Sequence, residues 1–196
     1  MNNTDRIITV YAEQTPNPET LKFVVNAHIS KGGSFDFPTK ESGEKSPLAK
    51  MLWAEDYVKG VFIAQDFVTV TKASDRTWAE LLPKIRVFLR NYIQNGGEVI
   101  PEGLISEIQT QFEEDDSNDS DVVKKVKEIL AQNIKPAVEM DGGAIDFVDF
   151  TDGVVTVALR GSCSGCPSSM VTLKGGIENL LKTLVPEVTE VVAEAM

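Results

Sequence analysis

The residues with most chemistry to offer are Cys163-Ser164-Gly165-Cys166, which hold the only two cysteines of the chain. Two sulfurs at this spacing on one tight turn can grip one metal or close a small disulfide. Gly161 and Gly165 free the backbone to bend sharply around them. Pro167 follows Cys166 and marks the entrance of a helix, where unpaired amide N–H groups favour negative charge. Both thiols are therefore expected to ionise more easily than free cysteine, and thiolate is the form that binds iron or attacks disulfides.

Ligand counting narrows the chemistry. Common iron–sulfur clusters and many structural zinc ions take four thiolates. One chain supplies two cysteines, and its single histidine, His28, lies far off in the sequence. Two copies supply four thiolates, so a cluster or a zinc ion bridging a homodimer is the simplest complete shell. Thiolate softness does not separate the two metals. A shared site on a loop opens when subunits part, which suits handing a cluster onward better than holding a permanent zinc. The rival class is a thiol–disulfide oxidoreductase, because C-x-x-C at a helix start is also a redox arrangement. Three features count against it: no aromatic residue precedes Cys163, Val185-Pro186 reads as a helix stop, and the pair is expected to follow an antiparallel hairpin rather than sit in a βαβ unit.

The elements that position the cysteines can be read on both sides. A helix starts near Ser120, with Val122, Val126, Ile129 and Leu130 on one face, and Pro136 should end or bend it. Asp141-Gly142-Gly143 is a tight turn needing positive φ. Ala144 to Phe150 and Val154 to Leu159 are strands, joined by the turn signal Thr151-Asp152-Gly153. After the cysteines, Met170, Leu173, Ile177, Leu180, Leu181 and Leu184 form one helical stripe interrupted by Gly175 and Gly176, and Val188 to Val192 is a last strand. The order is αββαβ.

The first half reads ββαββα. Arg6 to Glu13 and Thr20 to Ile29 are strands around the turn Thr15-Pro16-Asn17-Pro18. Ser46-Pro47 opens a short helix. Val61-Phe62-Ile63 and Phe67 to Val70 are a strand pair. Thr77-Trp78-Ala79-Glu80 is a capping box, and Pro83 must either start or kink the helix that follows. Trp53 and Trp78 read as packing residues. The fold class is α+β, with two small domains, 1–97 and 120–196, joined by an acidic flexible linker at 98–119. Asn95 to Gly103 should fray. Residues 110–120 hold five acidic residues and no basic one, which keeps them solvated and extended.

The chain has 196 residues, 42% hydrophobic and 25% charged, so disordered and repeat-array readings are excluded. A net charge of −11 argues against nucleic acid as a partner. No apolar run is long enough for a membrane span. The opening residues lack the look of a signal or transit peptide, so a cytoplasmic location is expected.

The runs Pro136-Ala-Val-Glu-Met-Asp141-Gly-Gly143, Gly161-Ser-Cys-Ser-Gly-Cys-Pro-Ser-Ser169 and Thr172-Leu-Lys-Gly-Gly-Ile-Glu178 resemble the C-terminal domain of NifU and Nfu proteins. Thr15-Pro-Asn-Pro-Glu-Thr-Leu-Lys-Phe23 and Phe67-Val-Thr-Val-Thr-Lys72 resemble the Nfu N-terminal domain. Lys135 stands where the family has Arg, with the charge kept. The resemblance implies a scaffold or carrier rather than an enzyme. A [4Fe–4S] cluster, or alternatively [2Fe–2S], would be shared by a homodimer through Cys163 and Cys166 of each chain. Apo-proteins would receive it, and upstream assembly proteins would supply iron and sulfur. The N-terminal domain would serve contact with partners or targets.

Overall fold

Alternating β-branched and aromatic residues in the first half build a five-stranded sheet in the computed structural model, which describes residues 7–106, 119–163 and 167–195. Its strands are β1 (Val10–Gln14), β2 (Thr20–Val25), β3 (Phe35–Phe37), β4 (Val58–Ile63) and β5 (Phe67–Lys72). They run in the order β1-β2-β5-β4-β3, and all neighbours are antiparallel. The helices are α1 (Lys40–Gly43), α2 (Pro47–Trp53) and α3 (Trp78–Gln94). The expected order ββαββα therefore gains β3 and α1, both between the second expected strand and the helix at Ser46-Pro47. Each is too short for a periodic signal; in β3 only Phe35 and Phe37 flank Asp36.

Local chemistry sets the helix starts. Ser46 accepts from Ala49 N with its hydroxyl at 3.1 Å and donates to the Val99 carbonyl at 2.7 Å, so one buried side chain caps α2 and ties it to a distant segment. The capping box expected at Thr77 does not form, because the Thr77 side chain makes no cap bond. Its carbonyl closes the first turn instead, accepting from Glu80 N and Leu81 N. Pro83 lies inside α3 rather than at its start. The buried stripe Leu81, Ile85, Leu89 and Ile93 holds that helix on the sheet despite the missing amide donor. Both tryptophans pack, with indole N–H groups donating to Phe37 O and Pro18 O.

The segment expected to fray, 95–103, is instead packed. Val99 and Ile100 are buried in the first core, and Leu104 and Ile105 lie against it. Two adjacent apolar residues outweigh the glycines around them. Of the acidic run 110–120, residues 110–118 lie outside the described residues; its end is not extended and solvated as expected, because Asp119 pairs with Lys127 at 2.7 Å and Ser120 accepts from Val123 N to cap the next helix.

The second half runs α4 (Asp121–Ile129), a π-helical turn at Leu130–Ile134, α5 (Lys135–Met140), β6 (Gly143–Thr151), β7 (Val154–Gly161), α6 (Pro167–Leu184) and β8 (Glu190–Ala195). Pro136 does not end the helical segment: a π-helical turn precedes it, closed by Lys135 N–H donating to Leu130 O, and α5 runs on through it to Met140. Asp152 and Gly153, both at positive φ, turn β6 back along β7. β8 then pairs parallel to β7, with α6 as the crossover. Val126, Leu130, Val138, Ile145, Leu159, Ile177 and Leu181 form the second core. The αββαβ order stands.

Side chains alternate across a strand, so the five-stranded sheet has two faces. Leu21, Phe23, Val25, Val61, Ile63, Val68 and Val70 face the first core. Phe62 and Phe67 on the opposite face form a separate buried cluster with Ala144 of the second half.

Candidate metal centre

Gly142 and Gly161 shape the approach to the cysteine turn. Both have positive φ, 81° and 66°. A Cβ on Gly161 would lie 2.9 Å from Gly142 O and 2.9 Å from the Phe62 ring, so no other residue fits there. Gly143, expected to share the positive-φ turn, is instead the first residue of β6, paired with Gly161. A Cβ on it would meet Cys163 Sγ at 2.9 Å.

Cys163 follows directly. The residue is 5% exposed and belongs to the second core. Ser162 Oγ lies 3.7 Å from the sulfur and is also bonded to Asp141 O. Burial pushes the Cys163 thiol above its ordinary pKa. The Asp141 carboxylate pushes the same way, and only the Ser162 hydrogen bond opposes them. This corrects the expectation of an easily ionised thiol at Cys163, since desolvation outweighs any benefit of a nearby helix end. Cys166 lies outside the described residues, as does Gly165; α6 begins at Pro167.

A second correction concerns the setting of the pair. The antiparallel hairpin β6–β7 does precede it, but β7, α6 and the parallel strand β8 make a βαβ unit, and Cys163 sits at its strand-to-helix junction. The length of α6 separates β8 from the cysteines, which hid this pairing from the sequence.

Other candidates fall away from the turn. His28 is exposed. Lys174 approaches Glu190 at 3.9 Å. A Cβ on Gly175 or Gly176 would meet nothing within 4 Å. Among the described residues no group of three or more His, Cys, Asp or Glu side chains could hold a metal ion. Also among them, no helix is long and apolar enough to cross a membrane.

Sequence reasoning missed Asp36 and Arg160. Arg160 pairs with Asp146 through Nη2, and Lys135 approaches the same carboxylate at 3.8 Å. Asp36 accepts from the Gly161 amide, and burial pushes its carboxyl up to about 6, with Gly161 and Arg160 opposing the rise. An aspartate in a three-residue strand carries no pattern that would single it out.

Two family models match this chain: "Scaffold protein Nfu/NifU N terminal" over residues 10–96 and "NifU-like domain" over residues 126–192. The chain belongs to the Nfu/NifU family. A relative from Drosophila sechellia, named "NFU1 iron-sulfur cluster scaffold homolog, mitochondrial", is 38% identical over 95% of this chain and 65% of its own length. The protein of the same name from Drosophila willistoni is 37% identical over 95% of this chain and 63% of its own length. This Nfu/NifU chain thus spans just under two thirds of these relatives. The solution structure of a NifU-like protein from Saccharomyces cerevisiae is 25% identical with a TM-score of 0.43, covering 51% of this chain and 89% of that one.

The relatives overturn the cytoplasmic placement, because their names carry a mitochondrial designation. That placement rested on the first residues alone, which are no guide to compartment in a chain spanning only part of its relatives.

Proposed function

We propose that this chain is an iron–sulfur cluster scaffold and carrier, not a catalyst. A [4Fe–4S] cluster is its cargo, held between two copies through Cys163 and Cys166 of each. The observation that carries this reading is Cys163 at the β7–α6 junction, with Cys166 three residues on in the sequence, in a chain with both family domains. The relatives' names, which call them iron–sulfur cluster scaffold homologs, support it.

The chemistry follows from the turn. Cys163 must lose its proton to bind iron, so loading the cargo releases a proton. Handing it on exchanges one iron–sulfur bond for another. A thiolate of the apo-protein takes the iron, and the Cys163 sulfur takes up a proton. The raised proton affinity of Cys163 favours that second half of the exchange. The chain carries no other cysteines, so iron and sulfide come from upstream assembly proteins. The net charge of −11 gives no support to a nucleic-acid partner.

The βαβ setting favours one second reading, a thiol–disulfide oxidoreductase. The match to a scaffold-protein family model counts against it. The deciding experiment is Cys163→Ser and Cys166→Ser in the full chain, reconstituted anaerobically with iron and sulfide. Each variant should fail to hold the cluster while keeping its fold by circular dichroism. Full loading of either variant overturns the ligand assignment. Metal-free reduction of insulin disulfides would favour the redox reading.

A further inference from the structure

One cross-strand row of the five-stranded sheet bears on the cysteine turn. Pairing aligns Glu13 with Lys22, Lys22 with Thr69, Thr69 with Phe62, and Phe62 with Asp36. Neighbours in such a row project from the same face. That face meets the two segments around Cys163. Lys22 Nζ donates to Met140 O at 3.2 Å, and Glu13 holds the same ammonium at 3.3 Å. Thr69 Oγ1 donates to Gly142 O at 2.8 Å in a buried bond. The Phe62 ring fills the space where Gly161 lacks a side chain. The Asp36 carboxylate accepts from the Gly161 amide. From beside the row, Asn17 Nδ2 reaches Ser162 O at 3.5 Å.

We propose that this row is a clamp: the N-terminal sheet positions the cysteine turn by gripping residues 140–142 and 161–162, with Thr69 as its central positioning residue. The clamp holds two backbone segments that lead into Cys163, 140–142 and 161–162, and so keeps the thiol turned into the second core. Presenting that sulfur to cargo or to another thiol requires the grip to loosen. The N-terminal domain therefore regulates access to the turn, beyond any contact it makes with partners. The consequence for cargo rests on the scaffold reading above; the grip on the turn does not.

Thr69 is the sharpest probe. Its side chain is nearly fully buried, and its hydroxyl serves a carbonyl of the other domain. Thr69→Val keeps the shape and removes the hydroxyl donor, leaving Gly142 O with the Ser162 N–H at 3.3 Å alone. Thr69→Ser keeps the donor. The experiment uses the full chain carrying Cys166→Ser, so that iodoacetamide reports Cys163 alone, followed by mass spectrometry. Alkylation then samples the local opening that exposes the thiol. Losing the shorter of two hydrogen bonds to this carbonyl should raise that rate roughly fivefold in Thr69→Val, with Thr69→Ser close to the parent. Equal rates in all three chains overturn the clamp. Equal acceleration in both variants also overturns it, since packing and not the hydroxyl would then hold the turn. A parallel arm reconstitutes the cluster on chains with both cysteines intact. There Thr69→Val should alter its visible circular dichroism and shorten its retention against a chelator. A parent that takes up no cluster sinks the scaffold reading, and the alkylation arm still decides the clamp.

Discussion

Replacing Asp36 by asparagine tests the electrostatics of the contact between the two halves. The carboxyl is buried against Gly161, which raises its pKa from the ordinary 3.8 to about 6. A raised pKa means that the folded chain holds this proton more tightly than the unfolded chain does. The parent therefore loses stability as pH rises from about 4 to about 6, and the loss is complete above that window. At 1.36 kcal/mol per unit, burying the ionised group costs about 3 kcal/mol at most. The amide introduced by Asp36→Asn carries no charge, and its oxygen can still accept from the Gly161 N–H. The variant should be more stable than the parent by about 1–3 kcal/mol at pH 7.5. The advantage should shrink towards zero at pH 4, where the aspartate is protonated in the fold. Urea unfolding of both chains at the two pH values reads this directly, because every other titrating group is common to both. A variant no more stable than the parent at pH 7.5, or an advantage unchanged at pH 4, would refute the argument.

Two further outcomes follow from the same region. Alkylation of Cys163 in the Cys166→Ser chain should keep accelerating as pH rises past the ordinary thiol range, because burial and Asp141 hold its proton; a rate midpoint at or below the ordinary 9.0 would contradict this. Gly142→Ala should cost about 1–3 kcal/mol, since it forces a φ of 81° on a side-chain residue and drives a Cβ to 2.9 Å from Thr69 Oγ1. Unfolding midpoints within error of the parent would show that the turn relaxes freely.

Much of this architecture is legible in the residues themselves. The strand pair at Phe62 and Phe67, the helix after Ser46-Pro47 and the Asp152-Gly153 turn all have local causes, and local patterns find them. The Cys163-to-Cys166 motif and its place before a helix are equally local. Three features were not legible, each because its cause is long-range. β8 pairs with β7 only after α6 has crossed over, so the βαβ unit is invisible to periodicity. Val99 and Ile100 are held by a core built from residues far earlier in the chain. Lys22 and Thr69, at alternate positions of their strands, look like residues facing solvent, yet they are bonded to the backbone of the other half. Burial of Cys163 belongs with these, and for that reason its expected acidity reversed sign.

The most direct test of the central claim is anaerobic reconstitution with iron and sulfide, followed by metal analysis and native mass on one sample. The account predicts about two iron and two sulfide per chain in a dimer, as one four-iron cluster on four thiolates requires. Zinc alone, or a metal-free monomer after reconstitution, would contradict it.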